Sequence, residues 1–191
     1  MTKKILKILT LVFPVLAMGL MIASHMHNKE TGTLWRVPVT GYDPRDLLRG
    51  HYLTYRYDWN WAQGKDKCPN GKCVLCLNSG ENGSNQNPVV SYSSRKAAPK
   101  QCQSYIKGQV YAGGRRFEIG SETGNGLRHY YIPEEHAWEL DRLLRNGPEG
   151  SEDKEGHRFE IGLRVSSGGQ AFIEGMYIDD VPLEEWIKQE R

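Results

Sequence analysis

Apolar and polar positions divide the chain into one long greasy run at the front and a series of short alternating segments behind it. Residues 5–24 are almost unbroken in apolar character, matching the roughly 20 residues that a helix needs to cross a bilayer. From Leu34 the period falls to two. Leu34-Trp35-Arg36-Val37-Pro38-Val39 alternates as a half-buried strand does, and alternation returns after Gly50. There His51, Leu53, Tyr55 and Tyr57 fall on one face, with Tyr52, Thr54 and Arg56 on the other.

Residues 106–112 and 115–120 predict a hairpin about Gly113-Gly114, and residues 127–132 a further strand. Residues 158–165 and 170–178 predict a second hairpin, with Phe159, Ile161, Leu163 and Val165 turned inward. Helical spacing appears at residues 134–145, where Ala137, Trp138, Leu140, Leu143 and Leu144 share one side. Acids lead that segment, arginines close it, and Asn146-Gly147-Pro148 stops it. Residues 182–189 read as a short amphipathic helix or a frayed tail.

These elements predict an α+β fold: a mainly antiparallel β sheet or partly closed barrel with one covering helix, preceded by a single N-terminal transmembrane helix. The expected organisation is a cytoplasmic start and anchor over residues 1–24 and a tether over 25–33. One extracytoplasmic domain follows over 34–191, with a cysteine-bearing insertion at 62–104. Lys3, Lys4 and Lys7 flank or open the greasy run, so the positive-inside rule leaves the N-terminus in the cytoplasm and places the rest outside. A cleaved signal peptide shares the basic start and apolar stretch, but no Ala-x-Ala site follows, so an uncleaved anchor is expected.

Between the first two strands lies Tyr42-Asp43-Pro44-Arg45-Asp46-Leu47-Leu48-Arg49-Gly50. Asp43 can cap a short helix that Pro44 opens, Asp46 meets the positive end of its dipole, and Gly50 ends it. The strand that follows reads Gly50-His51-Tyr52-Leu53-Thr54-Tyr55-Arg56-Tyr57. It resembles the signature of the GDYXXLXY family, with His51 where the motif has Asp and Tyr55 where it has Leu. The resemblance continues through residues 130–134 and 169–179. It implies an extracytoplasmic domain anchored in a bacterial membrane, working beside another membrane protein, and it supplies no catalytic residues to carry over.

Residues 62–104 are rich in Gly, Asn, Ser, Lys and Pro and hold all four cysteines: Cys68, Cys73, Cys76 and Cys102. Lacking a long apolar period, the segment reads as a loop excursion. Outside the cytoplasm thiols oxidise, so disulfides are expected. Of three possible pairings, Cys68 with Cys73 and Cys76 with Cys102 is favoured, because it closes a tight turn and ties the ends of the excursion. Cys73-x-x-Cys76 also suits zinc, and the overall spacing is close to that of a plant-type iron–sulfur protein.

The formal net charge is +2, too near balance to argue for a nucleic-acid partner. No nucleophile stands beside a base, the histidines do not cluster at ligand spacing, and no glycine loop precedes a helix to cradle phosphate. The expected catalytic, metal and cofactor assignments are therefore none. The reading is a binding or assembly module whose candidate contact residues are Arg45, Asp46, Arg49, His51, Tyr52, Tyr55 and Tyr57, with an inner-membrane or envelope protein as partner. The alternative is an envelope enzyme with acid–base chemistry around Asp46, Arg49 and His51.

Overall fold

The computed structural model of the chain describes residues 2–43, 52–63, 68, 73–80, 83–94, 96–111, 116–119, 127–132 and 157–189; at 2–9, 11, 41–43, 52, 111, 116, 118 and 189 this is backbone only. Helix α1 spans Thr2–Glu30. Strands β1 (Thr33–Asp43), β2 (Tyr52–Tyr57) and β3 (Asn60–Trp61) follow, then β4 (Val74–Asn78) and β5 (Val89–Ser93). A helical turn, α2 (Ala98–Gln101), leads into β6 (Ser104–Tyr111), β7 (Arg116–Ile119) and β8 (His129–Tyr131). The chain closes with β9 (Phe159–Val165), β10 (Ala171–Ile178), β11 (Val181–Pro182) and α3 (Leu183–Gln189).

Two sheets result, a six-stranded one ordered β11-β10-β9-β1-β2-β8 and a five-stranded one ordered β3-β5-β4-β6-β7. All the strand pairings are antiparallel except β3 with β5. The architecture is thus a mostly antiparallel β structure with a half-barrel curl and a few helices, as the alternating segments predict. Both predicted hairpins form, and the C-terminal segment is helical rather than frayed. The helix expected over residues 134–145 and the turn of helix expected over 44–50 lie outside the described residues.

β1 does the joining. Its first half pairs with β9 from Thr33↔Val165 to Pro38↔Glu160, and its second half pairs with β2 from Val39↔Tyr57 onward. On the edge opposite β9, Arg36 donates its N–H to Asn85 O at 2.9 Å and accepts from Asn87 N–H at 2.9 Å, so the cysteine-bearing segment docks onto the same strand. Trp35, Val37, Val39, Ile161, Leu163, Met176 and Ile178 form one wall of the core, facing Leu75, Leu77, Val90 and Ile106 of the second sheet. Leu183, Trp186 and Ile187 of α3 belong to the same buried cluster. Burial of side chains of this size contributes about 1.5–3 kcal/mol each before conformational entropy is subtracted.

The expectation of a loop over residues 62–104 is corrected. β4 is the middle strand of the five-stranded sheet, and Cys73 to Leu77 are all buried. A strand buried on both faces reads as an apolar run without alternation, and Val74-Leu75-Cys76-Leu77 is too short for periodicity to separate it from other structure. The two disulfides are Cys68–Cys73 and Cys76–Cys102, with Cα separations of 5.9 and 5.2 Å. These are the favoured pairing, and no cysteine is left as a thiol.

Helix α1 continues to Glu30, so most of the stretch expected as a tether is helical and only Thr31 and Gly32 separate it from β1. Counting only residues with described side chains, which in α1 begin at Thr10 and skip Leu11, no helix is long and apolar enough to cross a membrane. The greasy run over residues 5–24 begins ahead of those side chains.

The Cys76–Cys102 bridge spans a sequence separation of 26 and leaves from a core strand. Replacing both cysteines by serine should lower unfolding free energy by about 3.5 kcal/mol, the chain-entropy value for a loop of this size. Replacing Cys68 and Cys73, five apart, should cost less. Urea titration of the two double variants checks the order.

Candidate functional site

The strand carrying the family-like motif faces two ways. Leu53 and Tyr55 are buried, at 3% and 0% exposure, and Tyr57 packs half-buried against the same core. Both tyrosine hydroxyls donate to the carbonyl of Leu127, Tyr55 at 3.2 Å and Tyr57 more closely, while Tyr55 N–H donates to Arg128 O at 3.1 Å. Burial pushes both phenols well above the ordinary tyrosine range; for Tyr57 the neighbouring Tyr55 adds to this, and Arg128 opposes it. They are neutral donors that fasten residues 127–128 to β2.

Their rings begin an aromatic series. Tyr55 meets Tyr57 edge-on at 5.5 Å between centroids, and Tyr57 stacks on Trp59 at 4.9 Å. Farther along, Trp61 packs on Tyr92 at 4.9 Å, and Tyr92 on Phe117 at 5.9 Å. Aromatic pairs in these arrangements contribute about 0.5–1.5 kcal/mol beyond area burial. The cluster of aromatics conspicuous in the sequence is therefore largely a seam of the core. Trp35, 1% exposed, belongs to it too.

Of the expected contact residues, Arg45, Asp46, Arg49 and His51 lie outside the described residues, and Tyr52 is described by its backbone alone. Tyr52 pairs with Tyr131, and Thr54 with His129. The outward face of β2 and β8 thus presents Thr54, Arg56, His129 and Tyr131, of which Tyr131 is 74% exposed. Tyr52, which opens β2 opposite Tyr131, stands at the start of this face.

A second cluster was not singled out from sequence. Glu160 on β9 is 1% exposed, and its Oε2 has no hydrogen-bond partner among the described residues. Arg36 Nη1 lies 4.0 Å from that oxygen, and Arg158 Nε lies 3.5 Å from Oε1. Both arginines bond Asp180 more tightly, each at 2.7 Å, and Gln86 Nε2 donates to Asp180 Oδ1 at 2.7 Å. Asp179 accepts from Arg158 N–H at 2.8 Å and contacts His157 Nδ1 at 2.5 Å. Asp179 and Asp180 both have positive φ, at 48° and 71°, which the turn into β11 requires and which aspartate tolerates better than most residues.

The Arg36 guanidinium also lies 4.3 Å over the Tyr177 ring. That ring in turn covers Gly162, where a Cβ would come within 2.9 Å of it. The sequence signal for this cluster is only Arg36 on β1 and Glu160 and Arg164 on β9, charged residues at positions that alternate with apolar ones, which reads as a solvated face. Its arginines and carboxylates come from positions 36, 158, 160 and 180, and only strand register brings them together. Among the described residues no group of three or more His, Cys, Asp and Glu is placed to hold a metal.

This geometry defines a disulfide-stapled, two-sheet β protein led by a helix that leaves its apolar side chains uncovered. The chain belongs to the GDYXXLXY family, whose model, described as GDYXXLXY protein, matches residues 14–176. No curated protein and no solved structure matches it.

Two titrations test the inward groups. Tyr57 keeps its proton when folded, so its stabilisation is complete below the ordinary tyrosine value of 10.0 and is lost as pH rises beyond it. Tyr57→Phe should cost about 1 kcal/mol at neutral pH through the lost hydrogen bond, and should flatten the alkaline decline. Glu160 has its carboxyl raised, chiefly by burial and with Asp180 adding, against the opposing pull of Arg158 and Arg36. Its contribution is therefore complete below the ordinary value of 4.5 and is lost as pH climbs through the raised value. Glu160→Gln should remove that part of the slope in a pH series of urea melts.

Proposed function

We propose that the protein is a membrane-anchored binding or assembly module whose body stands on the extracytoplasmic side of a bacterial inner membrane, with α1 as its uncleaved single-pass anchor. The observation that carries this reading is the surface of α1. Val12, Phe13, Val15, Leu16, Met18, Leu20, Met21, Ile22 and Met26 are 40–72% exposed, while the body closes its core without them. In water such a helix leaves hundreds of Å² of apolar surface uncovered; in hydrocarbon it is solvated. Twenty-nine helical residues make about 44 Å, enough to cross the hydrocarbon and emerge from it. Oxidised cysteines fit the same side of the membrane.

The binding surface is the outward face of β2 and β8. Tyr131 and Arg56 there are the residue types that dominate interface energetics, and the inward half of the same strand is already committed to the core. The partner is a second membrane or envelope protein.

Fractionation and cross-linking test this. The full chain should resist extraction by alkaline carbonate, and its body should be cut by protease added from outside the inner membrane. Cross-linking in native membranes should recover one stoichiometric membrane or envelope protein. Tyr131→Ala should leave a cooperative thermal melt and weaken that recovery at least tenfold, in line with loss of an interface anchor of about 1.4 kcal/mol or more. A body facing the cytosol, or recovery unaffected by Tyr131→Ala, would overturn the placement or the surface respectively.

A further inference from the structure

The junction between α1 and the body is built as a fixed elbow. Thr31 donates both its N–H and its hydroxyl to His27 O, at 3.0 and 2.7 Å, closing the last turn of α1. Gly32 is then held against β9. A Cβ there would stand 2.8 Å from Arg164 Cγ and 3.1 Å from the Val165 carbonyl carbon, and Arg164 Nη1 donates to Gly32 O at 3.2 Å. Arg164 is itself fixed by a paired contact with Glu174, at 2.9 and 3.1 Å. One helical turn earlier, His25 meets Phe172 of β10 edge-on at 6.4 Å. The end of α1 therefore touches the start of β10 at His25, and a connection of only Thr31 and Gly32 joins the helix to β1.

That junction marks one end of the body. Phe172 is the second residue of β10, so the turn before it, residues 166–170, lies at the end of the sheet where α1 enters β1. The turn is ordered. Ser166 N–H donates to Gln170 O and Gly169 N–H to Ser166 O, both at 2.9 Å, while Gly169 takes a φ of 78° that glycine adopts freely. Beside it, Lys107 N–H donates to Gly169 O at 2.8 Å, and the Tyr105 ring covers Gly169 so closely that a Cβ would lie 2.5 Å from it. A tyrosine and an exposed lysine at this end of the sheet are the side chains that settle at a bilayer interface.

We propose that residues 166–170, with Phe172, Tyr105 and Lys107 beside them, form the surface on which the body rests against phospholipid headgroups. The proposal rests on α1 being a membrane anchor, and it goes further by naming which end of the sheet faces lipid. The outward face of β2 and β8 is then left to the protein partner.

Site-directed fluorescence separates the two readings. All four native cysteines are in disulfides, so one added cysteine can be labelled alone. The full chain carrying Ser167→Cys, Gln170→Cys, Thr40→Cys or Leu16→Cys is reconstituted in vesicles of phosphatidylethanolamine and phosphatidylglycerol, with nitroxide on either the headgroups or the acyl chains. Ser167, Gln170 and Thr40 are exposed, and Thr40 lies seven residues along β1 from Thr33, about 23 Å away. Headgroup nitroxide should quench the labels at 167 and 170 several-fold more than the label at 40, and acyl-chain nitroxide should quench the label at 16. Equal headgroup quenching at 167, 170 and 40, with the label at 16 quenched by acyl chains, overturns the resting surface and leaves the anchor standing. Absence of acyl-chain quenching at 16 overturns the anchor, and the surface with it.

Discussion

Everything in the body leans on the burial of one short strand. β4 has no exposed face along Val74 to Leu77, so the five-stranded sheet exists only while the wall made by β1, β9 and β10 covers it. The dependence is mutual, since Trp35, Val37, Ile161 and Leu163 are dry only against that second sheet. A hairpin or meander alone is marginal in water, and two sheets pressed together with a common core are not. The disulfides act where this constraint is most exposed to failure, because Cys76 leaves β4 itself and Cys73 stands immediately before it.

The aromatic series extends the same logic. Tyr55, Tyr57 and Trp59 line the inner side of the motif strand, and Trp61, Tyr92 and Phe117 continue into the second sheet. Two phenols donating to one carbonyl hold residues 127–128 to β2, which keeps the β2–β8 pair in register. The signature strand is therefore structural on one face and available on the other. The division explains why so many aromatics in the motif do not mean so many contact residues.

On the outer face of β9 polar groups are gathered rather than spread. Glu160 lies buried beside both arginines, Arg36 in turn packs on the Tyr177 ring, and Asp180 takes the stronger bonds from both arginines. Of this network only Glu160 is fully buried, so removing an arginine leaves its carboxyl less compensated, whereas Arg158 and Asp180 are half exposed and lose little. The same cluster holds the β10–β11 turn, and with it the approach to α3, to the first strand of the body. At the other end of β9, Arg164 and Glu174 do comparable work beside α1, so both ends of this strand are tied by charge while its middle is tied by packing.

How much could be known beforehand follows the range of each signal. Alternation at Leu34–Val39, at Leu53–Tyr57 and in the two hairpins is local, depends only on one face being wet, and so located those strands in the sequence alone. The family was equally legible, because its motif is a run of neighbours from Gly50 to Tyr57. The greasy run over residues 5–24 was legible for the same reason, and the tertiary structure added that its helix enters β1 through only two residues. β4 was invisible because a strand wet on neither face has no period to read. The Glu160 cluster and the outward place of Tyr131 were decided by register and sheet order, which join Arg36 to Asp180, more than a hundred residues on, and Tyr52 to Tyr131, and leave no mark in any short stretch of chain.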